Sequence, residues 1–595
     1  MKALRPLLVL AWLLLALPLH AQWSGSVDAA AGFGMMPARY EDDFDLYRHM
    51  GKDTIRLNFK GSKFQWKNTL NGSYERVWTD SYRLALSESP EKQSTQLDEI
   101  QKLNLKAPYE IKLKSSFIWT PAARSKYEAW ILFKFNQDSG NSATYKGHFK
   151  NIVQDPNTFQ EKMYIETSEQ NDLNYEVGLK TSHELGSPRR VLKGELVLEQ
   201  NHRYKEGDWI MGNISAELED FRTYRITPRS LVQKVQSKVH LADSIITSGP
   251  CRLMIDPGLR ILGDFTRDQN RGATYDPATD TWRDSTRLRE NFDFLALRIE
   301  PYLAGNFKWK GITAKMDYSP QLYARRLTDE THPQELQLKR IYLVGESRID
   351  WKISPMHKLI LRHKASVAHP SYIQICWYER QGNYLTQIYR GKESLLSTPT
   401  TAFNLEYEFR YKRFVSTTTM GYTLRNDEID QTFTKEIIDG RDYQVFTWVN
   451  AADSRIVGFS EKLSWKGQTL KADVGVNYNG TVRKARESGV VKQTSDWRLW
   501  ADVTLNLPKG WSIRADANYR SKVATFFTIF SKYCALNAKI QKNYKRVSIY
   551  LQGRDLLDNQ VITQYQSEDG LNGWIELTRN NRRMVVLGVL WNFGK

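Results

Sequence analysis

The segment Phe403-Asn-Leu-Glu-Tyr-Glu-Phe-Arg-Tyr411 alternates strictly between apolar and polar side chains. Successive side chains of an extended strand point to opposite faces, so the segment predicts a strand with one apolar and one charged face. The same period of two recurs along the chain from about Asp53 onward. Further examples are residues 54–60, 173–180, 470–478 and 511–520. The chain is therefore predicted to be all-β and built from antiparallel amphipathic strands.

Three features favour membrane strands over the strands of a soluble sandwich. The alternating segments run to about ten residues, which matches a tilted transmembrane strand and exceeds the usual soluble strand of about five or six. Charged residues lie at the centre of the polar face, as a water-filled lumen allows. Aromatic residues recur near the segment ends, where the two membrane interfaces would lie, as at Tyr407, Tyr411, Tyr478, Trp511 and Tyr519.

The N-terminus has the order of residues that a secretory signal requires. Lys2 and Arg5 precede the apolar run 7–17, and Leu19-His20-Ala21 follows. The run is too short for a membrane span, so we predict a signal peptide over residues 1–21, with cleavage after Ala21. A retained signal anchor is the alternative. No later run of about 18 apolar residues occurs, which excludes helical membrane spans.

Cysteine content and charge limit the possible partners. Cys251, Cys376 and Cys534 are odd in number and far apart, so they predict neither a disulfide framework nor a metal site. The formal net charge is +18. In an exported protein this charge favours lipopolysaccharide phosphates, acidic glycans or an acidic protein as partners, and not nucleic acid. The alternative is that the basic residues are simply dispersed through solvated loops.

The breaks between strands fall into two groups. Residues 465–468 and 508–510 are short and predict tight periplasmic turns, whereas residues 266–287, 375–399 and 427–455 are long and predict extracellular loops. No linker or shift in composition divides the chain. We therefore expect one barrel domain over residues 51–595, preceded by an N-terminal periplasmic segment at 22–50. Alternating residues 585–593 predict its closing strand.

The C-terminal part of the chain resembles a known family. The segments 359–372, 389–391 and 403–409, together with Arg554-Asp555-Leu556 and the ending Leu590-Trp-Asn-Phe-Gly594, are similar to the barrel of Bacteroidota TonB-dependent receptors. The resemblance covers about residues 250–595. It implies a cell outer-membrane location and, with the mature length, a single large transmembrane barrel of roughly 22 strands, with 16 or 18 as alternatives.

The plug domain of that family has no counterpart in the sequence. Its Gly-rich "G-x-x-S-x-x-Y-G" segment is absent, and residues 22–50 are too few to form a plug. Since a barrel this wide would otherwise leak, we expect long loops, the N-terminal segment or a partner to fill the lumen.

No catalytic, cofactor-binding or metal site is predicted, and the protein is not expected to be an enzyme. His357, His363 and His369 would share one strand face, but at the usual strand rise they span about 20 Å, too far for one metal ion. We interpret them as lumen or interface histidines. Asp555 is predicted to be lumenal or part of a turn. Residues 53–55 and 243–245 match a permissive O-glycosylation pattern.

Two functions follow from this sequence. The first is a receptor-like barrel that binds or transports a solute or glycan with a partner, such as a surface lipoprotein. The second is a non-transporting subunit of an outer-membrane protein assembly or secretion complex.

Overall fold

A computed structural model describes residues 22–593. It leaves out residues 38–43, 61, 76, 90–93, 123, 151–159, 186–189, 214–221, 247–250, 277–278, 285–289, 330–333, 377–378, 382–386, 439–440, 525–527, 558–559, 567–571 and 581–583. The predicted signal peptide, residues 1–21, lies outside the described residues.

The described chain is almost entirely strand. In order, the elements are β1 (Gln22–Pro37), β2 (Phe44–Lys60), β3 (Phe64–Glu75), β4 (Val77–Ser89), β5 (Ser94–Ala122), β6 (Ser125–Lys150), β7 (Gln160–Glu184), β8 (Arg190–Asn213), β9 (Arg222–Ile246), β10 (Cys251–Asp276), β11 (Thr281–Asp284), β12 (Glu290–Trp309), β13 (Ile312–Asp329), β14 (Gln334–Lys352), β15 (His357–Ala368), helix α1 (Tyr372–Ile375), β16 (Glu379–Gln381), β17 (Gln387–Arg390), β18 (Thr398–Tyr411), β19 (Phe414–Ile438), β20 (Arg441–Lys466), β21 (Leu470–Ala485), β22 (Val491–Leu507), β23 (Trp511–Arg520), β24 (Val523–Ala524), β25 (Thr528–Phe530), β26 (Tyr533–Asn543), β27 (Val547–Arg554), β28 (Gln560–Gln566), β29 (Asn572–Asn580) and β30 (Met584–Phe593).

These strands close into one antiparallel barrel. Counted over the described residues, about 22 strands follow one another around the ring, with β3 and β4 together forming one position. The ring closes where Gly25–Gly34 of β1 pairs with Met584–Phe593 of β30. The prediction of a single barrel of roughly 22 strands is confirmed.

The barrel begins earlier than the sequence predicted. Residues 22–37 form β1, which pairs with both β2 and β30. The predicted boundary at residue 51 is therefore wrong, because β1 supplies the edge on which the sheet closes. Its small residues, such as those of Ala29-Ala30-Ala31, carry too weak an alternation to be recognised as a strand.

Short turns lie at one end of the barrel and long connections at the other. We call these the turn end and the loop end. At the turn end, Lys310-Gly311 and Lys412-Arg413 are two-residue turns, and Lys310 and Lys412 have φ values of 48° and 51°. In barrels of this class, short turns face the periplasm.

At the loop end the strands continue far beyond the length that a membrane requires. Strand β5 alone has 29 residues. Most of residues 266–287 and 427–455, which the sequence predicted as loops, is paired strand in β10, β11, β19 and β20. Of residues 375–399, those before β18 do form an irregular connection, which follows α1 and contains the short strands β16 and β17.

The two faces of the wall differ as predicted. On β12, the side chains of Leu295, Leu297 and Leu303 are exposed on the outer face, toward lipid. Arg298 and Glu300 lie on the other face, toward the lumen. Within the described residues, no helix is both long and apolar enough to cross a membrane.

Candidate functional site

The connection between β15 and β18 folds into the lumen. We call residues 369–397 the strap. Its residues Ile375, Cys376 and Leu395 are almost fully buried. They form one apolar cluster with side chains of β12 and β13 that belong to the lumenal face: Phe292, Phe294, Ala296, Tyr323 and Leu327. The strap therefore has a hydrophobic core of its own inside the barrel.

Local sequence features shape the base of the strap. Ser371 and Gln374 form a capping box around the short helix α1. Farther along the strap, the Lys392 amide donates a hydrogen bond to the Gln374 carbonyl at 2.8 Å. Gly391 lies directly on Cys376, and a Cβ added at Gly391 would come within 2.1 Å of the Cys376 carbonyl oxygen. Only glycine allows this approach, so the strap is tightly closed at this point.

The tip of the strap is attached to a different part of the wall. Strand β17 pairs in parallel with Gln444–Thr447 of β20. The Tyr389 ring lies 5.2 Å from Phe446 and 6.1 Å from Trp448, measured between ring centroids. The Arg390 guanidinium donates two hydrogen bonds to the Glu436 carboxylate, both at 3.0 Å.

The end of the strap is also bonded to the β19–β20 hairpin. The Leu396 amide donates to Asn450 Oδ1 at 2.9 Å, and Asn450 Nδ2 donates to the carbonyls of Leu396 and Asp427 at 3.1 and 2.9 Å. Ile429 and Trp448 of the same hairpin pack on the apolar cluster. The strap thus joins the β12–β14 wall to the β19–β20 wall.

A polar network lies where the strap leaves β15. The Ser397 hydroxyl lies 2.9 Å from His369 Nδ1, and His369 Nε2 lies 2.8 Å from Gln321 Oε1. Gln321 in turn donates to Glu300 at 2.6 Å. These partners fit the neutral His369 tautomer with its proton on Nε2, donating to Gln321. The His369 ring also stacks on Tyr323, with 3.7 Å between centroids.

Two positive charges reinforce this neutral state. Burial, assisted by Arg298 and Arg325, lowers the pKa of His369 from 6.5 to about 4. Arg325 is only 3% exposed. It donates to the carbonyls of Glu393 and Leu395 at 3.4 Å, so it also fastens the strap to β13.

The structure separates the three histidines that the sequence grouped. His357 Nδ1 lies 2.6 Å from the Tyr407 hydroxyl and His363 Nδ1 lies 2.5 Å from the Tyr318 hydroxyl, both on the outer face of the wall. His369 comes after the end of β15 and belongs to the strap. In the part of the chain that the structure describes, no three metal-ligating side chains form a group.

The structure also places the other residues that the sequence analysis singled out. Asp555 is buried in the turn after β27, at a φ of 45°. All three cysteines are free thiols, and Cys376 is part of the strap core. Thr54 of the O-glycosylation pattern is 2% exposed, so the folded barrel does not present it to an enzyme. The side chain of Ser244, in the second match, lies outside the described residues.

Sequence reasoning missed the residues that build the strap. Arg325, Gly391 and Asn450 have ordinary neighbours in the sequence, and only the fold brings them together. The apolar residues of this connection, such as Ile375, Ile388 and Leu395, were an available signal, because a solvated loop has no need of them.

A closed barrel with an apolar outer band, a charged lumen and long extensions at one end is an outer-membrane β-barrel. Residues 275–591 match the outer membrane protein beta-barrel family, and the chain belongs to this family. The predicted cell outer-membrane location is thereby confirmed, and lipid and lipopolysaccharide are the surroundings of the barrel.

Solved structures with the same fold are TonB-dependent receptors, as the resemblance implied. The siderophore receptor PiuA from Acinetobacter baumannii is 11% identical, with a TM-score of 0.62 over 97% of this chain and 82% of that chain. The ferripyoverdine receptor of Pseudomonas aeruginosa is 10% identical, with a TM-score of 0.59 over 97% and 72%. The ferric-catecholate import receptor Fiu from E. coli K12 is 10% identical, with a TM-score of 0.57 over 96% and 82%. No curated protein matches the sequence.

Proposed function

We propose that the protein is a receptor barrel that binds a solute or glycan at its loop end and passes it through the lumen. In the resting state the strap closes the lumen, and a partner protein at the periplasmic side or the cell surface assists opening or delivery. The observation that carries the proposal is the strap, whose buried core lies inside the barrel and whose two attachments lie on different walls.

The two attachments differ in strength, which is what a closing element needs. The base of the strap has a buried apolar core, and burying each large apolar side chain stabilises it by about 1.5–3 kcal/mol. The tip is held by a four-residue parallel ladder with a single buried strap residue among those described, Ile388, by aromatic contacts and by a partly exposed ion pair. Exposed ion pairs contribute at most about 1 kcal/mol. The tip can therefore detach from β20 while the base stays folded.

The long strands support a binding role for the loop end. Strands β5 to β10 have 24 to 29 residues, and β19 and β20 have 25 and 26, so all of them extend well beyond the length that a membrane requires. Structures with this fold are named for siderophores and ferric catecholates, so these chelates are the first ligands to test. Glycans come next, since an exported barrel with a surface lipoprotein partner suits them.

The decisive experiment measures conductance of the purified barrel in planar bilayers. Residues 377–390 are replaced by Gly-Ser-Gly, which removes β16 and β17 but leaves Ile375 and Leu395 in place. The close contact of Gly391 with Cys376 makes this short connection feasible. We expect a nearly silent wild type and a variant with stable open channels.

The matched control replaces residues 487–489, in the exposed turn between β21 and β22, by Gly-Ser-Gly and keeps Arg486, which pairs with Asp427. It should stay silent, because residues 487–489 take no part in the strap. A variant as silent as the wild type, with no solute uptake into vesicles, would contradict the proposal. It would favour the non-transporting subunit of an assembly or secretion complex, especially if other outer-membrane proteins co-purify in fixed ratio.

A further inference from the structure

Basic side chains are concentrated on the lumenal wall near the turn end, far from the strap. A cleft of about 430 Å³ lies between β12, β13, β14 and β15. It is lined by six cationic residues and one carboxylate: Lys308, Lys310, Lys315, Arg348, Lys352, Lys358 and Asp350.

The strand register puts like charges directly opposite each other. Lys315 faces Arg348 across β13 and β14, and Lys352 faces Lys358 across β14 and β15. Next to the cleft, Arg252 of β10 faces Lys308 of β12. Opposed residues on one face have Cβ atoms only about 4.5–5.5 Å apart, so like charges there are destabilising. Three such pairs on neighbouring strands would be stabilised by a bound negative charge.

The one carboxylate that lines the cleft is already engaged. Asp350 accepts two hydrogen bonds from Arg348, at 2.7 and 2.8 Å, and an ion pair from Lys358 at 2.8 Å. Farther along the wall, Asp317 is paired with Arg260 and Glu408 with Arg410. In the described part of the chain, Lys308, Lys315 and Lys352 form no ion pair with a carboxylate.

We infer that this cleft is an anion-binding site for a small solute that carries at least two carboxylate or phosphate groups. Its volume suits a molecule of that size. Lysine ammonium groups are compact point charges that suit either anion. Thr313 and Asn306 add neutral polar groups at the rim of the cleft.

The position of the cleft in the barrel indicates at which step of transport the site would act. It lies at the turn end, where a solute that has passed the strap would leave the lumen toward the periplasm. As a step on that path the inference rests on the proposed function and adds the substrate class, an anionic solute. As a binding site it rests only on the charges and the register.

The test measures binding to the full-length barrel in neutral detergent at low salt, by calorimetry with pyrophosphate and with tricarballylate. The triple variant K308Q/K315Q/K352Q should bind at least roughly tenfold more weakly, since three nearby charges are lost. The control K509Q/K522Q/K532Q removes the same charge from exposed positions on the other side of the barrel, and it should bind like the wild type.

Every outcome bears on the inference. Tighter binding of pyrophosphate identifies a phosphate-bearing solute, and tighter binding of tricarballylate identifies a polycarboxylate. A wild type that binds neither probe, or a triple variant that binds like the wild type, overturns the site. If the triple variant does not fold, K352Q alone is compared with K532Q, and equal binding by the two overturns it.

Failure of the site and failure of the proposed function are distinguishable. Anion binding by a barrel that passes no solute in vesicles would reject uptake and leave the site standing. Conductance on removal of residues 377–390, without anion binding, would keep uptake and reject the site.

Discussion

At residue 391, two parts of the strap touch through a glycine. Gly391→Ala would place a methyl group about 2 Å from the Cys376 carbonyl. We expect this overpacking to destabilise the strap by about 1–3 kcal/mol, because backbone atoms cannot move aside as a side chain can. Limited proteolysis should cut the strap faster, and channel openings should become more frequent. Gly263→Ala is the control, since a Cβ there meets nothing within 4 Å. Equal proteolysis of the two variants would contradict the prediction.

His369 should make the strap sensitive to acid. Its pKa is about 4 in the folded barrel, against 6.5 when free, because burial and the nearby Arg298 and Arg325 disfavour the cation. Between pH 4 and pH 6.5, His369 is therefore protonated more often when the strap is open than when it is closed. The strap is therefore fully stable above pH 6.5 and loses stability as the pH falls toward 4.

The measurement is channel opening as a function of pH. Openings by the wild type should increase between pH 6.5 and 4. His369→Gln keeps hydrogen-bonding groups but cannot be protonated, so its openings should not change over that interval. A variant with the same pH dependence as the wild type would show that another group is responsible.

The histidines also illustrate what sequence reasoning can do at this scale. Spacing by six predicted a common face for His357, His363 and His369, and this holds for the first two. It fails for His369 because β15 ends at Ala368, and period-two alternation carries no information beyond the end of a strand. The role of Arg325 could not be predicted either, because its partners are backbone carbonyl groups of a connection far away in the sequence.

Among the elements, β17 offers a direct way to lock the strap. Ile388 lies opposite Val445 in the parallel ladder, and both are buried. Paired residues on adjacent strands lie about 4.8 Å apart, within the range that a disulfide bridges. In a background without Cys251, Cys376 and Cys534, the variant I388C/V445C should be closed when oxidised and regain wild-type openings on reduction. The single variants are the controls. Conductance that does not depend on redox state would show that the tip does not detach.

The alternation of β20 allows its two faces to be compared by substitution. Phe459 is exposed toward lipid, whereas Ser460 points to the lumen. Phe459→Arg should lower the free energy of unfolding in vesicles, that is, destabilise the barrel, by about 2–4 kcal/mol if residue 459 lies near the bilayer centre. Ser460→Arg should change it by less than about 1 kcal/mol, because an arginine in the lumen stays hydrated. Equal effects would mean that the two faces have been assigned wrongly.

Strands were predictable from the sequence, but their lengths were not. In the bilayer one face meets lipid and the other water, so residues 403–411 alternate strongly. Above the bilayer both faces meet water, and the requirement for alternation disappears. This explains why 427–455 suggested a loop although most of it is a paired hairpin. Backbone pairing continues where the side-chain pattern has ended.

For the whole molecule, the closed barrel predicts high kinetic stability. Over the described residues every ring strand pairs with a neighbour on each side, so the ring has no free edge strand where unfolding can begin. The folded protein in detergent should migrate faster on gels when unheated than when boiled. Its circular dichroism should be that of β-structure. Identical migration before and after boiling, or a mainly helical spectrum, would contradict the closed barrel.

The class of barrel was accessible from the sequence, and its interior was not. The strand number was predicted from the mature length, which scales with barrel size, and from the size of the barrels in the family that the chain resembles. A requirement to fill the lumen followed from its width, and the strap lies in one of the connections predicted as long. That the strap joins β12–β14 to β20 depends on contacts between residues far apart in sequence, such as Leu395 with Leu327, which no local pattern encodes.

The pairing of β1 with β30 has a consequence for how the barrel forms. This seam joins the first and last described strands, so its closure requires the largest ordering of the chain and comes at the end of folding. Until then the growing sheet has two open edges, and their free amide and carbonyl groups can pair with other chains. The interval between export and closure is therefore the time when aggregation threatens most. A cellular factor that shields both edges, rather than one that speeds strand formation, would do most to raise the yield of folded barrel.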